Sequence, residues 1–264
     1  MIPTKELKKL RAFHNKPELK KDMVAEVLNH QKQDRIIKGT YGKDSHKGDF
    51  KGCAVGCSIH SYNVKRGETC DISEHKVYET KLGIPESLAR LEDYLFETMP
   101  DDKAMKWSAE FMKAIPVGAN LSLVAPKFIA GTLRDLLKIK EVKDDKAVMK
   151  AVVDIAKLWE MVIAGKIVKP AEWSAADSAA RSAARSAARL AARSAADSAA
   201  RLAARLAAEW SASWSAADSA ARSASWSASW SAADSADSAE WSASWSATSY
   251  KMSRRLLKII RSCK

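Results

Sequence analysis

Three of the four cysteines, Cys53, Cys57 and Cys70, and three of the five histidines, His46, His60 and His75, fall within Lys43–Tyr78. Thiols and imidazoles gathered this closely permit two kinds of chemistry. The first is nucleophilic. A helix over 53–62 places Cys53, Cys57 and His60 at i, i+4 and i+7 on one face. A cysteine at its N-terminus has its thiolate favoured by the helix dipole. The candidate catalytic residues are therefore Cys53, Cys57, His60 and His75. In that scheme a cysteine is the nucleophile and His60 or His75 the base, oriented by Asp49, Asp71 or Glu74. The second chemistry is zinc binding by Cys53, Cys57, His60 and Cys70, with His75 as a further ligand. The spacing C-x3-C-x2-H-x9-C-x4-H matches no common zinc finger. A third reading needs no chemistry: Cys53 and Cys57 are small buried residues, and Gly56 lets another segment pack close. Beyond zinc, no cofactor is expected.

The elements that must hold this segment read as helical. Glu18–Lys32, entered after Pro17, predicts a charged helix with Met23, Val24, Val27 and Leu28 inward. Arg35–Phe50, with Gly39, Gly42 and Gly48, predicts a short hairpin or an ordered loop. Pro85–Thr98 starts at a proline and turns Leu88, Leu91, Leu95 and Phe96 inward. Asp101–Ala114, Leu121–Lys138 and Asp145–Ala164 complete the set, the last with Val148, Val152, Ile155, Leu158, Trp159 and Val162 on its apolar face. His14 and His46 lie among charged residues and are expected in solvent. So is the basic run Lys5, Lys8, Lys9, Arg11, Lys20 and Lys21.

The chain changes character at Pro170. Every proline and glycine lies at or before it, and seven of nine tryptophans lie after it. From Trp173 the unit X-Ser-Ala-Ala repeats every four residues, with X as Trp, Arg, Asp or Glu. Alanine is the best helix former and alanine and serine are poor strand residues, so the tract is expected to be helical. A β-solenoid is the alternative, because four is a multiple of the strand period. The Trp pairs 210/214, 226/230 and 241/245 then pack an otherwise alanine-only layer, or form an aromatic docking surface. The last residues, 251–264, form a basic amphipathic helix with Met252, Leu256, Leu257, Ile259, Ile260 and Cys263 on one broad face. That face is expected to cap the preceding repeat. The organisation is thus a mostly helical head (1–170) carrying the Cys/His segment 43–78, a tetrapeptide repeat (171–250) and a terminal helix (251–264). The fold class is mainly α, with one small irregular or β-hairpin segment.

The formal charge is +12 over 264 residues. Residues 171–250 hold seven Arg and eight acids, and 251–264 hold six bases and no acid, so the excess lies in the head and the final helix. No apolar run approaches the length of a membrane span, and the first residues lack the apolar core of a secretory signal. A cytoplasmic place is expected, and with it free thiols rather than a disulfide framework. There is no phosphate-binding G-x-x-x-x-G-K, no G-x-G-x-x-G, no H-E-x-x-H and no G-x-S-x-G.

One set of residues carries a resemblance. Gly52-Cys-Ala-Val-Gly-Cys57-Ser-Ile-His60 precedes Leu82-Gly-Ile-Pro-Glu86, Leu88-Ala-Arg-Leu-Glu-Asp93 and Phe96-Glu97, and Ala114-Ile-Pro-Val-Gly-Ala-Asn-Leu121 follows. Together they resemble an uncharacterised family of bacteriophages and bacteria, whose members often continue into Ala-rich repeats and sometimes carry an immunity-protein label. The resemblance spans 45–264. It implies a phage setting and an intracellular place, and it implies no activity. Function is expected to be binding: docking of a host or phage protein, or of an anionic ligand such as a nucleotide, with homo-oligomers formed through the repeats. The alternatives are a cysteine-dependent hydrolase or transferase and a nucleic-acid-binding protein.

Overall fold

The computed structural model describes residues 9–33, 35–42, 50–176, 178–179 and 238–264. These are mainly helical, and the described residues form no strand beyond one isolated bridge between Ile36 and Gly52. The irregular segment is therefore a loop rather than a hairpin over the part described. The tetrad tract lies almost wholly outside the described residues. Its two edges, 170–176 and the start of Ser238–Arg261, are helical. The Trp pairs 210/214 and 226/230 are not among the described residues.

The chain divides into two compact units, one spanning 3–125 and 246–264 and the other holding 126–245. In the first unit, a tight turn at Ala12–Asn15 leads into α1 (Pro17–Lys32). Then come α2 (Ala54–Arg66), α3 (Lys76–Leu82), α4 (Glu86–Thr98) and α5 (Asp101–Ala114). Helix α1 packs on α2 and α5, and α4 packs on α2, α3 and α5. Sequence explains the boundaries. Pro17 opens α1 where its missing N–H costs nothing, and Gly67 and Gly83 end α2 and α3 in the left-handed conformation. The apolar periodicity of α4 and α5 buries Leu88, Leu91, Leu95 and Phe96 with Trp107 and Phe111. In α1, Met23 and Val27 are buried, whereas Val24 and Leu28 are only half-buried. The short helix α3 and the turn at 12–15 were not legible in the sequence. That turn holds Phe13, His14 and Asn15 at φ of 53°, 50° and 60°, a left-handed run that L-residues resist. Backbone bonds anchor it, Ala12 N–H to Ala119 O at 3.0 Å and Gly118 N–H to Ala12 O at 2.9 Å, and Phe13 is fully buried.

The terminal helix α9 (Ser238–Arg261) shows where the amphipathic tail goes. Its residues from Ser246 belong to the head unit, so among the described residues the tail packs on the head; the expected contact with the preceding repeat lies outside the described residues. Met252, Leu256, Leu257 and Ile260 are buried, and Ile259 and Cys263 are half-buried. Arg254 pairs with Glu110 at 2.6 Å, Lys103 lies over the Tyr250 ring at 5.7 Å, and Asn120 N–H donates to the Lys264 carbonyl at 3.2 Å.

The second unit, from Pro126, holds most of α6 (Val124–Leu136), with α7 (Lys140–Asp144) and α8 (Lys146–Ile163). Asp145 caps α8 by accepting from the Ala147 and Val148 N–H groups at 2.9 and 3.0 Å. Val148, Val152, Ile155, Trp159 and Val162 are buried, while Leu158 is half-buried. Trp173, the first tryptophan of the tetrads, packs its ring 4.8 Å from that of Trp159.

Two glycines set how the loop meets α2. A Cβ on Gly56 would lie 1.6 Å from the Tyr41 carbonyl oxygen, and one on Gly52 would lie 2.3 Å from it. The contact is with backbone, so a side chain here must push 35–42 away. Gly56→Ala is expected to destabilise the protein by about 1–3 kcal/mol, the usual range for overpacking. An equal denaturant midpoint for the variant and the wild type would contradict this close approach.

Candidate functional site

Cys53 is the N-cap of α2, and its Sγ accepts from the Gly56 N–H at 3.4 Å. Its own N–H donates to the Thr40 carbonyl at 2.8 Å, which ties the helix start to the loop. Helix α4 supplies what faces it. Asp93 and Glu97 are one turn apart there, and their carboxylates and the Cys53 Sγ each offer an atom lying within 4.8 Å of the others. His75, just before α3, holds Asp93 Oδ2 through Nε2 at 3.2 Å. The Tyr41 ring packs edge-on to His75 at 5.7 Å. Glu97 Oε2 accepts from the Gly39 N–H at 2.9 Å. The loop, the cap of α2, the residue before α3 and helix α4 thus each contribute to one cluster around a thiol that is 1% exposed, with Asp93 and Glu97 half-buried and Tyr41 exposed.

The electrostatics of this cluster favour the protonated forms of Cys53, Tyr41 and Glu97. Burial, and then the Asp93 charge, raise the Cys53 thiol far above the ordinary range. Burial and Asp93 likewise push Tyr41 up to about 12, and burial raises Glu97. Behind the cluster, Glu92 is fully buried, and burial lifts its carboxyl far above the ordinary carboxylate range. Tyr78, also fully buried, is raised by burial and by the Glu92 charge.

The other expected site residues lie elsewhere. Cys57 is buried and donates to the Gly52 carbonyl at 3.3 Å, and burial raises its thiol to about 12. His60 stacks on Phe50 with ring centroids 3.9 Å apart and planes within 2°. Cys70 sits half-buried with Glu68, its N–H held by Asn63 at 2.9 Å. The set Cys53, Cys57, His60 and Cys70 is therefore spread over separate surroundings. The ligating atoms that converge belong to Cys53, Asp93 and Glu97. Of the candidate bases, His75 is joined to this cluster through Asp93, and His60 belongs to a second cluster with His30. Asp93 and Glu97 were missed because they lie on another helix, 40 and 44 positions from Cys53 in the chain. Their i, i+4 spacing is common on solvated helices and gave no signal by itself.

The second cluster pairs buried His30 with half-buried His60. His30 Nε2 bonds to Ser61 Oγ at 2.9 Å, and its ring lies edge-on to His60 at 5.9 Å. Its Nδ1 is buried without a hydrogen-bond partner. Burial first, then the charges of His60 and Arg35, lower its pKa to about 4, against a smaller opposing pull from Glu26.

Comparison with protein-family models, with curated proteins and with solved structures finds no match to this chain.

The His30 environment sets a pH dependence. Its folded pKa lies below the unfolded value of about 6.5, so between those two values the unfolded chain takes up the proton first. The stability that neutral His30 contributes is complete above about pH 6.5 and declines as pH falls toward 4. His30→Gln is expected to flatten the thermal-midpoint profile across that window. Superimposable profiles would show that His30 does not titrate on unfolding.

Proposed function

We propose that the protein acts by binding rather than by turnover, docking an acidic protein partner or another anionic ligand on the basic face of its head unit. The observation that carries this reading is the lie of α9. Its apolar side is buried, and its outer side exposes Lys251, Arg254, Lys258 and Arg261. No acid occurs in 251–264, and Arg254 is paired with Glu110 of α5. Lys103 and the exposed Lys106 lie on α5, the helix with which α9 shares the Arg254–Glu110 pair. Such a row raises the local concentration of negatively charged partners and speeds their encounter. No described helix is long and apolar enough to cross a membrane. The resemblance of the head motifs supports a phage setting, with a host or phage protein as partner. Assembly through the Ala- and Ser-rich tetrads and a cytoplasmic place belong to the same reading and rest on the sequence.

The thiol environments speak against the cysteine-enzyme alternative. A nucleophilic cysteine needs its thiolate favoured by a neighbouring base or cation. Here burial and the Asp93 charge oppose the Cys53 thiolate, and burial opposes that of Cys57. With iodoacetamide at neutral pH, the native protein is expected to react at half-buried Cys70 and Cys263 and to spare Cys53 and Cys57. Stoichiometric labelling of Cys53 or Cys57, lost on His60→Ala, would establish the enzyme instead.

The docking face has its own test. Immobilised heparin serves as a generic polyanion. The combined variant Lys251→Glu, Lys258→Glu, Arg261→Glu is expected to elute from it at clearly lower salt than wild type, with the circular dichroism spectrum unchanged. Elution at the same salt would remove this face from the account. Wild-type binding to a mixed-sequence oligonucleotide that equals heparin binding in strength and salt dependence would move the assignment to nucleic acid.

A further inference from the structure

We infer that Cys53, Asp93 and Glu97 form a binding site for one divalent transition-metal ion, zinc by its donor set. The site stands apart from the docking face and does not depend on it. The convergence is specific. The three side chains come from two helices, one from the cap of α2 and two from successive turns of α4, and offer ligating atoms within 4.8 Å of one another. In a tetrahedral zinc site neighbouring ligand atoms lie roughly 3.5 Å apart, so closing on the ion needs side-chain shifts on the order of 1 Å.

Two further observations mark this group off from an ordinary acidic cluster. The first is Asp93 itself. One oxygen is held by His75 Nε2, and the other, Oδ1, is buried with no hydrogen bond at ordinary distance, the donors near the carboxylate being the Cys53 thiol and the Tyr41 hydroxyl. A buried acceptor so weakly paired costs free energy that a cation would remove. An imidazole on the far oxygen of a ligating carboxylate is an arrangement that orients ligands from outside the coordination sphere. Glu97 is built alike, with Oε2 held by the Gly39 N–H. The second observation is incomplete charge compensation. Asp93 and Glu97 are like charges at i, i+4, a destabilising pair on a helix. His75 offsets Asp93 only when protonated, and the lysine and arginine whose fields reach the cluster are shared with other acids: Lys38 donates to Asp101 at 2.7 Å, and Arg90 to Glu86 at 2.7 Å.

The donors select the ion. One sulfur with two carboxylate oxygens suits borderline zinc and its spectroscopic substitute cobalt, and does not suit magnesium or calcium, which take oxygen alone. Three protein ligands leave a fourth position for water. On binding, the Cys53 S–H bond breaks, its proton passes to solvent and the sulfur electron pair goes to the metal, so affinity rises with pH.

The test is a cobalt titration of the full-length, chelator-treated protein. One equivalent is expected to bind, with a thiolate-to-cobalt absorption band that zinc abolishes by displacement. Cys53→Ser should remove the band and leave the fold intact, because serine is itself a good N-cap. Cys70→Ser and Cys263→Ser should keep it. Glu97→Gln, at a partly exposed position, should weaken cobalt binding at least tenfold, and His75→Gln by about 10–100-fold. Should Cys53→Ser fail to fold, Glu97→Gln decides. Absence of the band, a band that follows Cys70 or Cys263, or equal cobalt affinity of Glu97→Gln and wild type would each overturn the assignment.

Discussion

The backbone of Tyr41 runs directly against the first turn of α2, and the arrangement of the head's chemistry depends on that contact. It exists because Gly52 and Gly56 present no side chain to the Tyr41 carbonyl. Around it the loop donates and accepts in sequence: Ile37 N–H to Gly52 O at 2.8 Å, Gly52 N–H to Arg35 O at 3.0 Å, and Cys53 N–H to Thr40 O at 2.8 Å. Buried backbone polar groups must be paired, so these bonds fix the loop's register as well as its distance. The consequence is chemical. Gly39 reaches Glu97, Tyr41 reaches His75, and Cys53 is sealed from solvent beside two carboxylates.

Burial then governs what the polar residues of the head can do. A thiol at a helix N-terminus is the usual recipe for a reactive cysteine, since the dipole favours the anion. At Cys53 that pull is present, as the Gly56 bond shows, yet desolvation and the Asp93 charge outweigh it. The same desolvation holds Glu92 and Tyr78 toward their neutral forms and keeps His30 unprotonated down to about pH 4. The interior of the head thus stores several acids without charge, while its bases are displayed outside, on α9 and α5. Binding at the exterior and ion capture in the interior draw on separate groups.

Much of the head was legible from its sequence. Periodicity and punctuation placed α1, α4, α5 and α8 to within about two residues, and the buried faces of α4 and α8 agreed with the expected apolar residues apart from Leu158. The helix supposed over 53–62 is present as α2, Ala54–Arg66, with Cys53 as its cap. What the sequence did not show has a common cause. The turn at Phe13–Asn15 uses a conformation that no residue type there advertises. The tail's packing on the head involves Glu110 and Asn120, more than a hundred residues away along the chain. A helix face announces that it will be buried and not what will bury it.

The sequence by itself determined the helical character, the two compositions, the charge division and the glycine pair at 52 and 56. Each follows from local propensity or a count, and local preferences act over a few residues. Only the tertiary structure decided that Cys53 meets Asp93 and Glu97 rather than Cys57, His60 and Cys70. Residues one turn apart on a helix share a face, but the face they look upon is chosen by packing, and here the loop and α4 close over the start of α2 while His60 turns away onto Phe50.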